Sequence, residues 1–358
     1  MWVLYPKLLI YLDKIRKNAS AVVSRCEARG ISVAGVTKGL CGHPSVAQVM
    51  LEAGCKWVAD SRLKNIQLMR EAGVKGPFML LRIPMACEID CAVDLASVTL
   101  VSTVEAIELL ERSCAVKRKS HGVIVMVDVG DLREGILPCE VESVGKSLKR
   151  CRWVAPLGVG TNVGCYGGVL PSPDNIGELV QVGHDLEGLL GCKLELFSGG
   201  STSSLKLLEK EELPEEVNQL RVGEAILLGR DVTHGQLIPY LCQDTMLFEA
   251  QVIEVRSKPS APKGELGADA FGNAPKWVDR GVRRRAIIAA GRQDVRPEGL
   301  FPTEKGIFVI GASSDHLLLD VEEAAVPVRW GDILSFYMDY GCMLAAATSQ
   351  YVEKVIEE

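Results

Sequence analysis

Between residues 30 and 225 the sequence repeats one pattern, a short apolar run followed by a loop and an amphipathic segment of ten to eighteen residues. Eight apolar runs occur, at 32–37, 56–60, 77–81, 98–102, 123–128, 154–160, 193–197 and 219–221. Strands that alternate with helices pair in parallel, and eight repeats over about 200 residues suit a closed barrel. We therefore predict a (β/α)8 TIM-type barrel of the α/β class. The alternative is a doubly wound open sheet, which the missing G-x-G-x-x-G fingerprint after the first run disfavours.

After Gly235 the sequence changes to strand-like runs separated by Gly, Pro and Asp, with little helical periodicity. These runs include RRAIIAAG, GIFVIGA, HLLLDV and DILSFYMDYG. We predict a C-terminal all-β domain over 236–358, after a barrel domain over 1–235. The segment KLLIYL (7–12) has no helix before it, so it either begins the barrel domain or joins the β domain.

Charge, hydropathy and cysteine usage exclude several classes of protein. A net charge of -6 argues against a nucleic-acid surface, and the basic run Arg283–Arg285 is too short to change that. No run approaches the length of a membrane-spanning helix, and the first residues do not resemble a signal peptide. Twelve cysteines are scattered singly without a C-x-x-C pair, as is typical of reduced thiols. We expect a cytoplasmic protein without a membrane or nucleic-acid partner.

Polar residues end seven of the eight apolar runs. They are Thr37-Lys38, Asp60-Ser61-Arg62, Arg82, Asp128 with Arg133 beyond it, Thr161-Asn162, Ser198 to Ser203, and Arg221 to Glu224. In a (β/α)8 barrel the carboxyl ends of all strands meet at one mouth, where the chemistry takes place. A single polar residue at a strand end is often only a solvated terminus. The repetition predicts an active site.

Three of these strand ends suggest a cofactor. The segment SGGSTSS after the seventh run, with Gly223 after the eighth, offers hydroxyls and open N–H groups where such barrels bind phosphate. Alternatively, SGGSTSS is a flexible loop or caps the following helix. Lys38 lies across the mouth and suits a Schiff base, because burial and nearby cations free a lysine amine to attack a carbonyl. A phosphate and an aldehyde together predict pyridoxal 5'-phosphate.

Ten segments, spread over nearly the whole chain, occur in a characteristic order and spacing. They are YPKLLIYLDKIRKN, VAGVTKGLCGHP, ADSRLKN, VDVGDLREGI, LGVGTNVGCYGG, FSGGSTSS, LRVGEAILLGRD, DAFG, AAGRQDV and GASSDHLLLD. With them the chain resembles the fold-type III pyridoxal-phosphate enzymes, the alanine racemase group, and within that group it is most similar to the ornithine racemases. The resemblance implies an amino-acid racemase, and a head-to-tail homodimer in which each β domain completes the partner's site.

The resemblance also implies roles for residues of the barrel. Lys38 would be the Schiff-base lysine and would move the Cα proton on one face. Arg221 would face the pyridine nitrogen, where a cation that gives no proton keeps the nitrogen neutral and favours racemisation. Arg133 would neighbour the lysine and a cofactor oxygen, or else form a surface salt bridge. Asn162 stands where alanine racemases pack a histidine on the ring. The cofactor phosphate would be bound by Ser201, Thr202, Gly223 and Glu224, the last two through backbone N–H groups.

The predicted β domain departs from the family pattern at one position. Phe271 stands where alanine racemases place a tyrosine of the partner subunit opposite the lysine, and phenylalanine cannot move a proton. Either the lysine works alone, or another group serves the second face. Candidates for that group are His316, Tyr340, Cys165 and Asp269. The segment GASSDHLLLD matches the family's substrate-carboxylate stretch, which makes Ser314, Asp315 and His316 substrate-binding candidates and adds His316 to Lys38 and Arg133 as a catalytic candidate.

The substrate implied by this resemblance is a basic amino acid, ornithine or lysine. Asp315, Asp269 and Glu224 would offer carboxylates to a distal ammonium, which is costly to bury unpaired. An alanine racemase of broad specificity and a non-catalytic pyridoxal-phosphate carrier are the alternatives, although such carriers lack a β domain.

Two other reactions of this fold are disfavoured by single residues. Related D-amino-acid aldolases and dehydratases bind a metal through a C-terminal histidine with a second ligand close behind. Here His316 is followed by Leu317–Leu319, which cannot coordinate a metal, so we expect none. Decarboxylases of this fold place a carboxylate at the pyridine nitrogen, which Arg221 argues against.

Overall fold

The computed structural model describes residues 4–274 and 277–357, in which the chain forms two compact units. The larger unit is Leu12–Gln243. The smaller one combines the chain up to Tyr11 with the segment from Asp244 onward. The first strand, β1 (Lys7–Tyr11), therefore belongs to the smaller unit.

Eight parallel strands form a closed barrel in the larger unit, in chain order, with the last strand pairing with the first. They are β2 (Ser32–Val36), β3 (Trp57–Asp60), β4 (Phe78–Leu80), β5 (Val98–Val101), β6 (His121–Met126), β7 (Val154–Gly160), β8 (Leu196–Ser198) and β9 (Gln219–Val222). The predicted (β/α)8 barrel is confirmed. A buried apolar cluster that includes Ala34, Met79, Leu100 and Ile124 draws on strands around the barrel, so the centre is a packed core.

One helix precedes the first strand of the barrel, and the others follow its strands. They are α1 (Leu12–Glu27), α2 (Pro44–Glu52), α3 (Leu63–Glu71), α4 (Ile89–Leu95), α5 (Val104–Lys117), α6 (Val141–Leu148), α7 (Pro173–Leu190), α8 (Leu205–Glu209) and α9 (Glu224–Leu228). Local sequence sets several of their ends. Ser172 and Asn175 form a reciprocal capping box at the start of α7, and Gly191 ends that helix with a φ of 75°. No helix in the described parts of the chain is long and apolar enough to cross a membrane.

The larger unit extends past the boundary that the sequence suggested at 235/236. A short hairpin of β10 (Arg230–Asp231) and β11 (Gln236–Leu237) follows α9. The chain beyond it stays bound to the barrel, because Asn18 of α1 exchanges hydrogen bonds with the Cys242 backbone at 2.7 and 2.9 Å. The division between the units consequently falls at Gln243/Asp244.

The smaller unit is built on a mostly antiparallel sheet. Its other strands are β12 (Met246–Pro259), β13 (Val282–Ile288), β14 (Leu300–Pro302), β15 (Phe308–Ala312), β16 (Leu317–Asp320), β17 (Ile333–Met338) and β18 (Glu353–Glu357). β1 pairs antiparallel with β12 and parallel with β18, so the KLLIYL segment contributes its strand to this sheet. The unit is not purely β, since α10 (Tyr340–Thr348) follows β17. Asp339 caps this helix by accepting the Cys342 N–H at 2.7 Å.

Candidate active site

Lys38 lies just beyond the carboxyl end of β2, where a short 3-10 turn, Lys38–Leu40, begins. The preceding residue, Thr37, is buried and donates its hydroxyl to the Asp60 carboxylate at 2.8 Å. Asp60 ends β3, is fully buried, and also accepts the Arg62 N–H and the Asn65 amide, each at 2.9 Å. Asp60 therefore ties the ends of two neighbouring strands together and restrains the backbone that carries Lys38.

The surroundings of Lys38 favour a neutral amine. Its side chain is half-buried, and burial lowers the pKa of Lys38 below its ordinary value. The positive charge of Arg133 acts in the same direction, while Cys165, Asp60 and Glu134 oppose it more weakly than burial. A lysine whose pKa is lowered has more of the unprotonated amine that attacks carbonyls and accepts protons.

Arg221 is a buried cation on β9. Its guanidinium donates to the Ser198 hydroxyl at the end of β8 and to the Thr161 carbonyl just after β7. Gly160 leaves room for it, because a Cβ there would lie 3.2 Å from the Arg221 Nη1. Burial lowers the pKa of Arg221 to about 10, with Glu134 opposing. The group stays charged at neutral pH although neither of its two contacts is a carboxylate.

A cluster of hydroxyls and N–H groups lies at the ends of β8 and β9. Ser201 caps a 3-10 turn, Thr202–Ser204, without a side-chain hydrogen bond, and Gly223 caps α9. The beginning of the 3-10 turn lies next to the beginning of α9, where Thr202 Oγ1 accepts the Ala225 N–H at 3.1 Å. That contact leaves the hydroxyl proton of Thr202 for another acceptor.

The neighbouring side chains in this segment have internal partners. The Ser203 hydroxyl donates to the Val163 carbonyl at 3.3 Å, and the Ser204 hydroxyl donates to the Gly199 carbonyl at 2.8 Å. The Glu224 carboxylate accepts the Val232 N–H at 3.3 Å. Ser201 and Thr202 are therefore the hydroxyls of this cluster best able to bind an anion.

Arg133, in the loop after β6, joins two other side chains. Its Nε and Nη2 both contact the Glu134 carboxylate, and its Nη1 lies 2.7 Å from the Cys165 Sγ. Burial lowers the pKa of Arg133, but the hydrogen bonds that it donates to Glu134 and the negative charges around it together outweigh burial, so the pKa is raised. The predicted surface salt bridge of Arg133 is thus real. It occurs together with an electrostatic effect on Lys38.

Two aspartates shape the loops that carry Arg133 and Cys165. Asp128 Oδ1 accepts the N–H groups of Gly130 and Leu132 at 2.9 and 3.1 Å. Asp131 is buried, and its carboxylate accepts three N–H groups of the loop after β7 at 2.9 to 3.4 Å, those of Cys165, Tyr166 and Val169. Asp131 is not among the residues predicted from the sequence. Its signal is an aspartate within a glycine-flanked loop, a residue type that binds nearby backbone N–H groups.

Asn162 begins the loop that Asp131 fixes, and its side chain is half-buried. The predicted barrel residues therefore lie at the carboxyl ends of the strands: Lys38 after β2, Arg133 after β6, Asn162 after β7, Ser201 and Thr202 after β8, Arg221 on β9, and Gly223 and Glu224 directly after it. Their roles as cofactor-binding and catalytic residues remain predictions.

The predicted substrate-binding residues lie in the smaller unit. Ser314, Asp315 and His316 are exposed and form the turn between β15 and β16. Asp315 accepts the Ser314 hydroxyl at 2.6 Å and the Gln293 amide at 2.9 Å. These contacts hold the turn in shape and leave the His316 ring at the surface.

Phe271 and Asp269 lie in the same turn of the smaller unit. The Arg292 guanidinium lies 5.1 Å from the centre of the Phe271 ring. The Asp269 carboxylate accepts the N–H groups of Asn273 and Phe271 at 2.8 and 2.9 Å. These bonds, the one from Asn273 most of all, lower the pKa of Asp269, which acts here as the organiser of its own turn.

Comparison with known proteins matches the barrel region to a family. The model of the alanine racemase N-terminal domain matches residues 10–231. The chain belongs to the alanine racemase family. Among curated relatives, the lysine racemase of Thermotoga maritima is 44% identical over 99% of both chains. The ornithine racemase of Acetoanaerobium sticklandii is 38% identical over 98% of this chain and 99% of its own.

The fold of the alanine racemase family extends over both units. The crystal structure of an alanine racemase from Streptomyces lavendulae covers 100% of this chain and 98% of its own, with a TM-score of 0.76 at 17% sequence identity. At that identity the likeness concerns the fold alone. The resemblance stated from the ten sequence segments is confirmed.

Proposed function

We propose that the protein is a pyridoxal-phosphate-dependent racemase of basic amino acids of the ornithine and lysine type. The observation that carries the proposal is the joint presence, at one mouth of the barrel, of a lysine with a lowered pKa and a buried arginine beside a hydroxyl cluster. The two relatives that match nearly the whole chain, a lysine racemase and an ornithine racemase, support the substrate class.

The residues at this mouth fit pyridoxal phosphate. Ser201 and Thr202, with backbone N–H groups at Gly223 and Glu224, would hold the phosphate. Arg221 would hold the pyridine nitrogen, and the Lys38 Nζ would hold the aldehyde carbon. Bound there, the cofactor supplies an electron sink that stabilises negative charge at the Cα of an amino acid.

The side chains of the chain itself then have defined tasks. Lys38 takes up or returns the Cα proton at its Nζ, which requires the neutral amine that burial favours. Arg221 stays protonated at neutral pH and releases no proton to the ring nitrogen, which limits side reactions and favours simple return of the proton. Asp60 restrains the backbone beside Lys38 through Thr37.

The remaining predictions belong to the same proposal. Ser314, Asp315 and His316 would bind substrate, with His316 as a further catalytic candidate, and two copies of the chain would form a head-to-tail homodimer. A cytoplasmic location agrees with five exposed free cysteines, a residue type that persists unpaired in reducing compartments: Cys87, Cys91, Cys139, Cys165 and Cys192.

The test is incubation of the purified protein and pyridoxal phosphate with each L-amino acid in D2O. Cα deuteration is measured by NMR and the D-isomer by chiral chromatography. We expect deuterated D- and L-ornithine or lysine, and loss of both signals and of the visible cofactor absorbance in Lys38→Ala. Equal turnover of L-alanine and L-ornithine would contradict the substrate class. A protein that is yellow but exchanges no amino acid would be a carrier, and the proposal would be wrong.

A further inference from the structure

Cys165 is a side chain at the barrel mouth to which the proposed function has so far given no task. Its Sγ lies 2.7 Å from the Arg133 Nη1, while the other two nitrogens of that guanidinium contact Glu134. The thiol is exposed, and its backbone N–H is bound by the buried Asp131 at 3.3 Å. The thiol therefore combines solvent access, a fixed backbone and a cationic neighbour.

The closed barrel brings Cys165 and Lys38 to the mouth from different sides. Lys38 follows β2 and Cys165 follows β7, and these strands are three apart in a ring of eight. Arg133 follows β6, which is four strands from β2 and so directly across the ring. Cys165 is also the strongest electrostatic influence on Lys38 after burial. Lys38 and Cys165 therefore approach the same barrel mouth from different sides.

A racemase that exchanges the Cα proton through two groups needs one proton carrier on each face of the substrate. Lys38 can serve one face. Phe271, at the position where the family resemblance implies a tyrosine, has no group that can serve the other. Among the candidates named from the sequence, Asp269 is engaged by the N–H groups of its own turn. Cys165 is the candidate that lies in the same unit and at the same mouth as Lys38.

Resting on the proposed function, we propose that the Cys165 Sγ carries the Cα proton on the face opposite Lys38, with Arg133 as its positioning residue. In one direction the Lys38 Nζ removes the Cα proton and becomes an ammonium, while the Cys165 S–H gives its proton to the other face and becomes a thiolate. In the reverse direction the thiolate removes the proton and the ammonium returns one. Proton exchange with water restores both groups, and the Arg133 guanidinium holds the sulfur in position through the 2.7 Å contact between its Nη1 and the Cys165 Sγ.

Enantiomer-specific exchange in D2O tests this assignment. In Cys165→Ala we expect racemisation of ornithine or lysine to fall about 10²- to 10⁴-fold, the usual contribution of a positioned acid or base. Cα exchange of one enantiomer should survive through Lys38, while that of the other is lost. Cys165→Ser, which keeps the size and the contact with Arg133 but carries a far weaker acid, should show the same asymmetry. Cys192→Ser is the control, because Cys192 is exposed in the turn before β8, at the opposite end of the barrel.

Thiol protection gives a second measurement that does not depend on turnover. The cofactor-loaded protein is alkylated with iodoacetamide, with and without α-methylornithine, which has no Cα proton and cannot racemise. Peptide mass spectrometry should show alkylation of Cys165 slowed about tenfold or more at saturating ligand, with Cys192 unaffected. Unslowed alkylation of Cys165, wild-type racemisation by Cys165→Ser, or equal slowing of both enantiomers in Cys165→Ala would each overturn the assignment. A wild type that exchanges no amino acid would instead overturn the proposed function.

Discussion

Replacing Arg221 by methionine should separate function from stability. Burial lowers the pKa of Arg221 from 12.5 to about 10. Because each unit of pKa corresponds to about 1.4 kcal/mol, holding the charge inside the barrel costs about 3 kcal/mol. The substitution also removes two hydrogen bonds from a charged group, to Ser198 and Thr161, worth about 1.5 kcal/mol or more each. Because the two effects nearly cancel, we expect the cofactor-free Arg221→Met protein to be about as stable as the wild type, while racemisation is lost.

Urea unfolding of the cofactor-free proteins, followed by tryptophan fluorescence at neutral pH, measures this difference. Arg82→Met is the matched control. Arg82 also follows a barrel strand, β4, but it is paired with the Glu88 carboxylate at 2.6 and 2.8 Å. Because that pair is partly exposed, its loss should lower the unfolding free energy by about 1 kcal/mol. A loss of 2 kcal/mol or more in Arg221→Met would refute the reasoning, since it would make Arg221 a structural cation.

Three further predictions follow from single contacts. Thr202→Val should raise the dissociation constant of pyridoxal phosphate about 10- to 100-fold in an absorbance titration, the value of one hydrogen bond to a charged group, whereas Ser203→Ala should not. Asp131→Ala should speed amide hydrogen exchange at residues 165–169 about tenfold or more, measured by mass spectrometry, because three N–H groups lose their acceptor. Burial lowers the pKa of His121 from 6.5 to about 4, so its neutral form stabilises the fold fully above pH 6.5 and this contribution is lost as the pH falls towards 4. Urea unfolding at pH 7.5 and pH 5 should show the wild type losing about 2 kcal/mol more than His121→Gln.

The barrel could be predicted from the sequence because its strands are apolar on both faces and are separated by amphipathic helices. The exact boundaries of the strands were harder to predict. KLELF predicts a strand over 193–197, but β8 begins at Leu196. The reason is a contact from the preceding helix: Glu187 of α7 binds the Lys193 ammonium at 2.7 Å and the Leu194 N–H at 2.9 Å, which holds these residues in the turn.

The smaller unit shows the same limit. The pairing of β1 with β12 and β18 joins segments far apart in sequence, and periodicity says nothing about such partners. Helix α10 did have a local signal, an aspartate cap at Asp339 followed by an alanine-rich stretch. This signal is hard to recognise in the sequence, because the apolar run of β17 comes directly before the helix and the whole stretch resembles one strand.

Candidate site residues could be predicted from their positions at strand ends, but the contacts between these residues could not. Lys38, Arg133 and Arg221 stand out by residue type and position. That Cys165 contacts Arg133 depends on Asp131, which binds the loop of Cys165 from the loop of Arg133. Such a bond joins residues 34 positions apart and leaves no pattern in one sequence.

A buried ionisable group is neutral at one end of the barrel and charged at the other, and this difference in charge indicates which end is functional. His121 begins β6, is buried, and contacts the Thr99 hydroxyl at 2.8 Å, and its lowered pKa leaves it neutral at pH 7. A buried group that is neutral at pH 7 lowers the free energy of unfolding only a little at that pH. Arg221, near the carboxyl end of β9, is equally buried but remains charged against two neutral partners. Since a methionine in its place should leave the fold about equally stable, stability does not explain this arginine. Its proposed place beside the ring nitrogen of pyridoxal phosphate would explain it.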